Sequence, residues 1–152
     1  MSVTTELITS LLLWISLNSG YILPEEVPEI IPVSHDALSQ MACIGDCPVL
    51  GFYPDSKYVN PFIMDGTSKI YLDQRMKPDE DVCATSILLH ELVHYVQEKN
   101  DAFQEISDPK LRYVSEEIEA HQLQSQYLYQ RFEKGGAGVK VIFRGSKLTL
   151  IC

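Results

Sequence analysis

Apolar residues recur at helical spacing in three segments of the chain. The first predicted helix covers residues 4–18 and ends before Gly20. The second covers 79–100, and the third covers 108–134 and ends before Gly135. Because only a short loop joins the second and third helices, we expect them to lie side by side and antiparallel.

The region between the first two of these helices shows a different pattern, typical of strands. Residues 68–73, which read SKIYLD, alternate polar and apolar side chains at period two, as a half-exposed strand does. Shorter strands are predicted at 29–33, which reads as an edge strand, and at 50–53. A short helix at 35–41 is predicted between them. The sheet region 49–73 is interpreted as a small antiparallel meander that needs helices on one face.

Length and composition are typical of one globular domain. The chain has 152 residues, of which 45% are apolar and 22% charged, so it can bury a core without staples. The predicted fold class is α+β: a small antiparallel sheet packed against a core of two helices, with an additional N-terminal helix. A single domain is expected to span residues 1–152. The tail after residue 139 is expected to form a hairpin or an irregular cover.

The charge of the chain is acidic and unevenly distributed. The formal charge is −9, and no Lys or Arg precedes Lys57. Nucleic-acid binding is disfavoured, because it depends on clustered Lys and Arg. The apolar run Leu7 to Leu17 resembles a signal-peptide core, but Glu6 gives its leader the wrong charge. We interpret the run as a buried helix and expect no membrane span. The location stays open, with the cytoplasm favoured over export.

The four cysteines are too few for a disulfide scaffold. Cys43 and Cys47 lie close together in a loop-like segment, where a local disulfide fits. For a chain without a convincing export signal, two partly buried thiols are the favoured interpretation. Cys83 and Cys152 do not supply the second close pair that a cysteine-based zinc site needs.

The candidate chemistry lies in the helix 79–100, at His90, Glu91 and His94. Residues four apart share a helical face, so both imidazoles can point at one ion. A catalytic zinc takes three protein ligands and leaves one position to water. Glu91 lies about 100° around the helix from His90, where it can act as a general base on that water. The alternative is two core-edge histidines beside a solvated glutamate.

A third ligand is expected from the helix 108–134. The candidates are Glu116, Glu117 and Glu119, which spread around the helix and so cannot all face one ion. Glu117 is the favoured candidate, Glu119 the next and Glu116 the last. Glu117 and His121 share a face at a spacing of four residues. Glu117 as ligand with His121 behind or beside the metal is therefore a consistent arrangement.

Together, the motifs HELVH at 90–94 and EIEAH at 117–121 resemble the gluzincin class of zinc metallopeptidases, particularly the small minigluzincins. The resemblance covers residues 68–132. It implies two histidine ligands and the catalytic Glu91 on one helix, with Glu117 as ligand on the next.

One position departs from the family pattern. The second motif of the family often reads Glu-x-x-x-Asp with a small residue before the Asp. Ala120 matches the small residue, whereas His121 stands in place of the Asp. The resemblance also implies an upstream strand along the cleft, for which 68–73 is suitably placed.

The predicted function is that of a zinc-dependent metallopeptidase acting on peptide or protein substrates, with Glu91 as general base. One catalytic Zn²⁺ is expected, and its predicted ligands are His90, His94 and Glu117. The donor to the developing oxyanion is left open among Tyr113, His121 and Tyr127. The alternative function is a non-proteolytic zinc-bound binding or regulatory module on the same scaffold. The oligomeric state is not predicted.

Overall fold

The computed structural model describes residues 3–43, 46–55, 68–133, 140–144 and 147–151. Within these ranges the chain is α+β, as predicted, with four helices, a three-stranded sheet and a separate strand pair. The elements in chain order are α1 Thr5–Ser19, β1 Glu29–Val33, α2 His35–Ala42, β2 Gly51–Phe52, β3 Lys69–Asp73, α3 Val82–Lys99, α4 Pro109–Glu133, β4 Lys140–Arg144 and β5 Lys147–Ile151.

The three-stranded sheet is mixed, so the prediction of an antiparallel sheet is wrong for the sheet as a whole, although β2 and β3, the described strands of the region 49–73, pair antiparallel as predicted. Its strand order is β1-β3-β2. β1 runs parallel to β3, with Glu29 opposite Lys69, and β2 runs antiparallel to β3. Period-two patterning identifies strands but not their partners, and here α2 separates β1 from the strand that follows it. β1 lies at an edge, as predicted, where Pro32 is tolerated.

α1 forms as predicted but buries only one face, since Leu13 and Leu17 are exposed. The Thr4 hydroxyl caps it by accepting from the Leu7 N–H at 3.2 Å. Gly20 ends it in the left-handed conformation, at φ 81°. Its buried side chains, Ile8, Leu11, Leu12 and Ile15, belong to the same core as those of α3 and α4. Among the described residues, no helix is long and apolar enough to cross a membrane.

α3 and α4 form the centre of the molecule. α3 begins at Val82, three residues later than predicted, because Asp81 is its N-cap and accepts from the Cys83 N–H at 2.9 Å. α4 begins at Pro109, where the Asp108 carboxylate accepts from the Lys110 N–H at 2.9 Å. The loop between the helices returns the chain within nine residues, 100–108. The two helices are therefore neighbours, and residues distant in sequence meet between them.

The cysteine prediction was wrong, because Cys43 and Cys47 form a disulfide. The two Cα atoms lie 6.5 Å apart, within the range that a disulfide spans. Cys83 is also in a disulfide, and no described cysteine is free. Disulfides persist mainly in oxidising compartments. The cytoplasmic location stays a prediction, and this pairing weighs against it.

Asp73 anchors the end of β3. Its carboxylate is fully buried and accepts from Arg75 Nη2 at 2.6 Å and Nε at 2.9 Å. His35 Nδ1 lies 3.3 Å away on α2. The hydrogen bonds from Arg75 outweigh the effect of burial and lower the pKa of Asp73 to about 2. The ionised carboxylate therefore ties the sheet to α2 and to the turn that precedes α3.

Asp73→Asn is expected to lower the free energy of unfolding by about 2 kcal/mol near neutral pH. The folded-state pKa of about 2 lies below the ordinary 3.8, so the stabilisation is present above that value and is lost as the pH falls through about 2. Urea unfolding of both proteins at about pH 7 and about pH 3 checks this, with the difference shrinking at the lower pH. Asp79→Asn, at an exposed position, is the control; an equal loss there would remove the assigned role of Asp73.

Candidate metal centre

Three side chains from two helices converge on one point. Glu117 Oε1 lies 2.9 Å from His94 Nε2, and Glu117 Oε2 lies 3.6 Å from His90 Nε2. The two Nε2 atoms are 3.2 Å apart. One ligand atom from each residue lies within 4.8 Å of the other two, so this group could hold a metal ion. Two nitrogens and a carboxylate oxygen are a donor set that suits zinc.

The convergence follows from local helix geometry and close helix packing. His90 and His94 are one turn apart on α3, with side chains 12% and 13% exposed. α4 brings Glu117 opposite them. Ala120, one turn further along α4, is fully buried in the core. Its small side chain lets the two helices approach closely.

Of the three glutamates that the sequence left open, the geometry selects Glu117. Glu119 lies outside the group: its Oε1 accepts from Tyr21 Oη at 2.6 Å and from Gln97 Nε2 at 3.0 Å. Glu116 lines the adjacent cleft and is almost fully buried, but it is not a member of the ligand group.

The ligand group lies in an open cleft with a volume of about 310 Å³. Its walls include β2, α3 and α4, together with Ala42, Cys43 and Val49. The strand along this cleft is β2, and the expectation that 68–73 borders it was wrong. β3, which covers 69–73, is the central strand and supplies no residue to the cleft wall.

Glu91 lies under β2, beside the ligand group. It is 8% exposed, and burial raises the pKa of its carboxyl group above the usual range, although His90 and His94 oppose this. A Cβ at Gly51 would lie 2.8 Å from Glu91 Cγ and 3.0 Å from Oε1. Glycine is therefore required at that point for the strand to approach the carboxylate.

The two ligands with the strongest pKa shifts face each other. Burial opposes protonation of His94, but the hydrogen bond with Glu117 and the charge of Glu91 outweigh it and raise the pKa of His94 to about 9. Burial also disfavours the charged form of Glu117, but its hydrogen bonds with His90 and His94 hold its pKa well below the usual range. Without a metal, these residues form an ion pair, and a bound cation would take the place of the proton.

Both histidine ligands contact a glutamine amide through the other ring nitrogen. His94 Nδ1 lies 2.9 Å from Gln97 Oε1, and His90 Nδ1 lies 3.2 Å from Gln124 Oε1. Such contacts orient metal-binding histidines. Sequence reasoning missed both residues. The position of Gln97 three residues after His94 could have identified it, whereas Gln124 is brought to His90 only by helix packing.

The candidate donors for an oxyanion occupy different places. Tyr113 lines the cleft, and His121 Nε2 lies 3.6 Å from Glu117 Oε2 on an exposed side chain. Tyr127 is a core residue that packs edge-on against Trp14 at 5.4 Å, away from the cleft. This burial in the core removes Tyr127 from the candidates. Tyr113 and His121 remain.

Comparisons of the chain with protein-family models, with curated proteins and with solved structures return no match. The resemblance drawn from the two motifs therefore rests on those residues and on the geometry described above.

Proposed function

We propose that this protein is a zinc-dependent metallopeptidase that hydrolyses peptide bonds. One Zn²⁺ would be held by His90, His94 and Glu117. The observation that carries the proposal is the convergence of these ligand atoms within 4.8 Å of one another in a cleft that Glu91 also lines. A buried carboxylate beside such a group is the arrangement that a hydrolytic zinc site needs.

The residues around the group have separable roles in this reaction. When bound, zinc would polarise the substrate carbonyl and lower the pKa of water. Glu91 accepts the proton from that water, and burial suits its carboxyl group to holding the proton before it passes to the leaving amine. Tyr113 lines the cleft and His121 Nε2 lies 3.6 Å from Glu117 Oε2, so either side chain could donate to the developing oxyanion.

The sheet supplies a path for an extended substrate. β2 is an edge strand of the described sheet, and Gly51 on it lies so near Glu91 that an added Cβ would come within 2.8 Å of Glu91 Cγ. A peptide that pairs with the outer edge of β2 would pass the ligand group with its backbone toward Glu91. Such pairing uses backbone hydrogen bonds, so it would bind a peptide without selecting the side chains of that peptide.

Gly51→Ala is expected to lower kcat by roughly tenfold to a hundredfold, with zinc content unchanged. The added Cβ would lie 2.8 Å from Glu91 Cγ, so the buried carboxylate must move away from its position. The measurement is steady-state cleavage of a fluorogenic peptide together with zinc quantification. Val49→Ala, a small change in the same cleft wall, is the control; a Gly51→Ala enzyme as fast as the native protein would contradict this placement of Glu91.

The proposal is tested by purifying the chain with zinc, quantifying the metal, and screening a broad peptide library with and without a chelator. Stoichiometric zinc with chelator-sensitive cleavage supports it. Loss of zinc binding on Glu117→Gln, but not on Glu105→Gln at an exposed position, supports the ligand assignment.

The second candidate is a zinc-bound binding or regulatory module without proteolysis, and the position of His121 favours it. Its ring centroid lies 4.6 Å from that of His90, and its Nε2 lies 3.6 Å from Glu117 Oε2. A small rotation would make it a fourth protein ligand, which closes the position that water needs. Stoichiometric zinc that requires His121, with no turnover of any peptide, would select this candidate.

A further inference from the structure

The amide of Gln97 has a fixed orientation next to the metal centre. Gln97 is 1% exposed on α3. Its Nε2 donates to the backbone carbonyl of Glu116 and to Glu119 Oε1, both at 3.0 Å. Its Oε1 lies 2.9 Å from His94 Nδ1.

The partners of this amide allow only one orientation. A backbone carbonyl can only accept a hydrogen bond. Glu119 Oε1 also accepts from the hydroxyl of Tyr21 at 2.6 Å. Rotating the Gln97 amide by 180° would place its oxygen against both acceptors and leave the NH₂ facing the imidazole, at the cost of two buried hydrogen bonds.

The fixed amide in turn selects one form of His94. Since Gln97 Oε1 can only accept, Nδ1 of His94 must carry a hydrogen and donate it. In the neutral imidazole Nε2 then keeps its lone pair, and Nε2 is the atom that faces Glu117 at 2.9 Å. The side chain is thereby presented in the only tautomer that can bind an ion at this point.

We propose that Gln97 is a positioning residue for the metal centre, with Glu119 and Tyr21 holding its amide. The proposal rests on the metal site of the proposed function, but not on peptidase activity. It assigns a role to Glu119, which lies outside the ligand group and is connected to His94 through Gln97. It also links the segment after α1 to a metal ligand, through the path Tyr21, Glu119, Gln97 and His94.

The equivalent contact on the other histidine is less constrained. Gln124 Oε1 lies 3.2 Å from His90 Nδ1, and its Nε2 donates to Ser86 Oγ at 3.2 Å. Ser86 Oγ itself donates to the Cys83 carbonyl at 2.8 Å, so rotating the half-buried Gln124 amide costs one hydrogen bond, against two for the buried amide of Gln97. Replacing Gln97 should therefore weaken metal binding more than replacing Gln124.

The test compares zinc affinity in full-length variants by competition with a chelating dye. Gln97→Leu, similar in size, should bind zinc about 10–100-fold more weakly than the native protein. Gln124→Leu should lose less, and Gln122→Leu, at an exposed position on α4, should change affinity by less than about twofold. Circular dichroism and the melting temperature of each metal-free variant check that it folds.

Two further measurements separate positioning from a general loss of structure. In the zinc-loaded native protein, the Nδ1–H proton of His94 should give a slowly exchanging NMR signal, which Gln97→Leu should remove. Tyr21→Phe removes the hydroxyl that donates to Glu119 Oε1, so it should also weaken zinc binding, by less than Gln97→Leu does. Native-like zinc affinity and an unchanged His94 NMR signal in Gln97→Leu would overturn the positioning role of Gln97 but would not contradict the metal site. A native protein that binds no zinc would overturn both.

Discussion

Glu91→Gln is expected to lower the rate of peptide hydrolysis by about 10²–10⁴-fold and to leave zinc binding intact. An amide has nearly the shape of the carboxylate but cannot accept a proton from water. Glu91 lies in the cleft beside the ligand group without belonging to it. The substitution therefore removes the proton acceptor and keeps the metal.

The measurement is kcat/KM on a fluorogenic peptide, with zinc content determined on the same preparation. Glu105→Gln makes the same chemical change at an exposed position between α3 and α4, and it should retain native activity. Undiminished cleavage by a zinc-loaded Glu91→Gln protein would eliminate the general-base assignment and favour a different proton acceptor.

Removing the metal is expected to abolish hydrolysis and to lower the melting temperature by roughly 10 °C. A ligand that binds only the folded state stabilises it by about 4 kcal/mol when its free concentration is about 1,000 times Kd. A chelator and His94→Ala should both lower the melting temperature, and His94→Ala should lower it further, because it also removes the imidazolium that pairs with Glu117 in the metal-free protein. Differential scanning calorimetry at fixed zinc concentration measures the shift.

The apparent zinc affinity should also rise with pH. The metal-free His94 has a pKa raised to about 9, so zinc must displace a proton below that value. Affinity should therefore increase by up to about tenfold per pH unit between about pH 6 and about pH 8. His121→Ala should keep one bound zinc if the three-ligand site is correct. A melting temperature that is insensitive to chelator would instead indicate that the histidines are structural.

The local parts of the fold were predictable from individual residues. Thr4 and Gly20 mark the ends of α1, and Ser34 caps α2 by accepting from the Ala37 N–H at 3.2 Å. Caps act within one turn of helix, so the sequence carries them directly. The tail was predicted as a hairpin or a cover, and β4 and β5 do pair antiparallel.

The errors concern residues whose partners are distant in sequence. The pairing of β1 with β3 and the position of β2 along the cleft depend on how the sheet assembles. Cys43 and Cys47 were predicted to be thiols because the chain lacks a convincing export signal, whereas the structure pairs them. Tyr127 was named as a candidate donor, but it packs in the core against Trp14.

The sequence by itself determined the helix that carries His90, Glu91 and His94, because a spacing of four residues places side chains on one face of any α-helix. It also narrowed the third ligand to three glutamates on a second helix. Only the tertiary structure decided that Glu117 completes the group, that Glu119 instead holds Gln97, and that β2 covers Glu91. Those outcomes depend on how two helices and a strand edge pack together, and no local pattern in the chain specifies distances between segments.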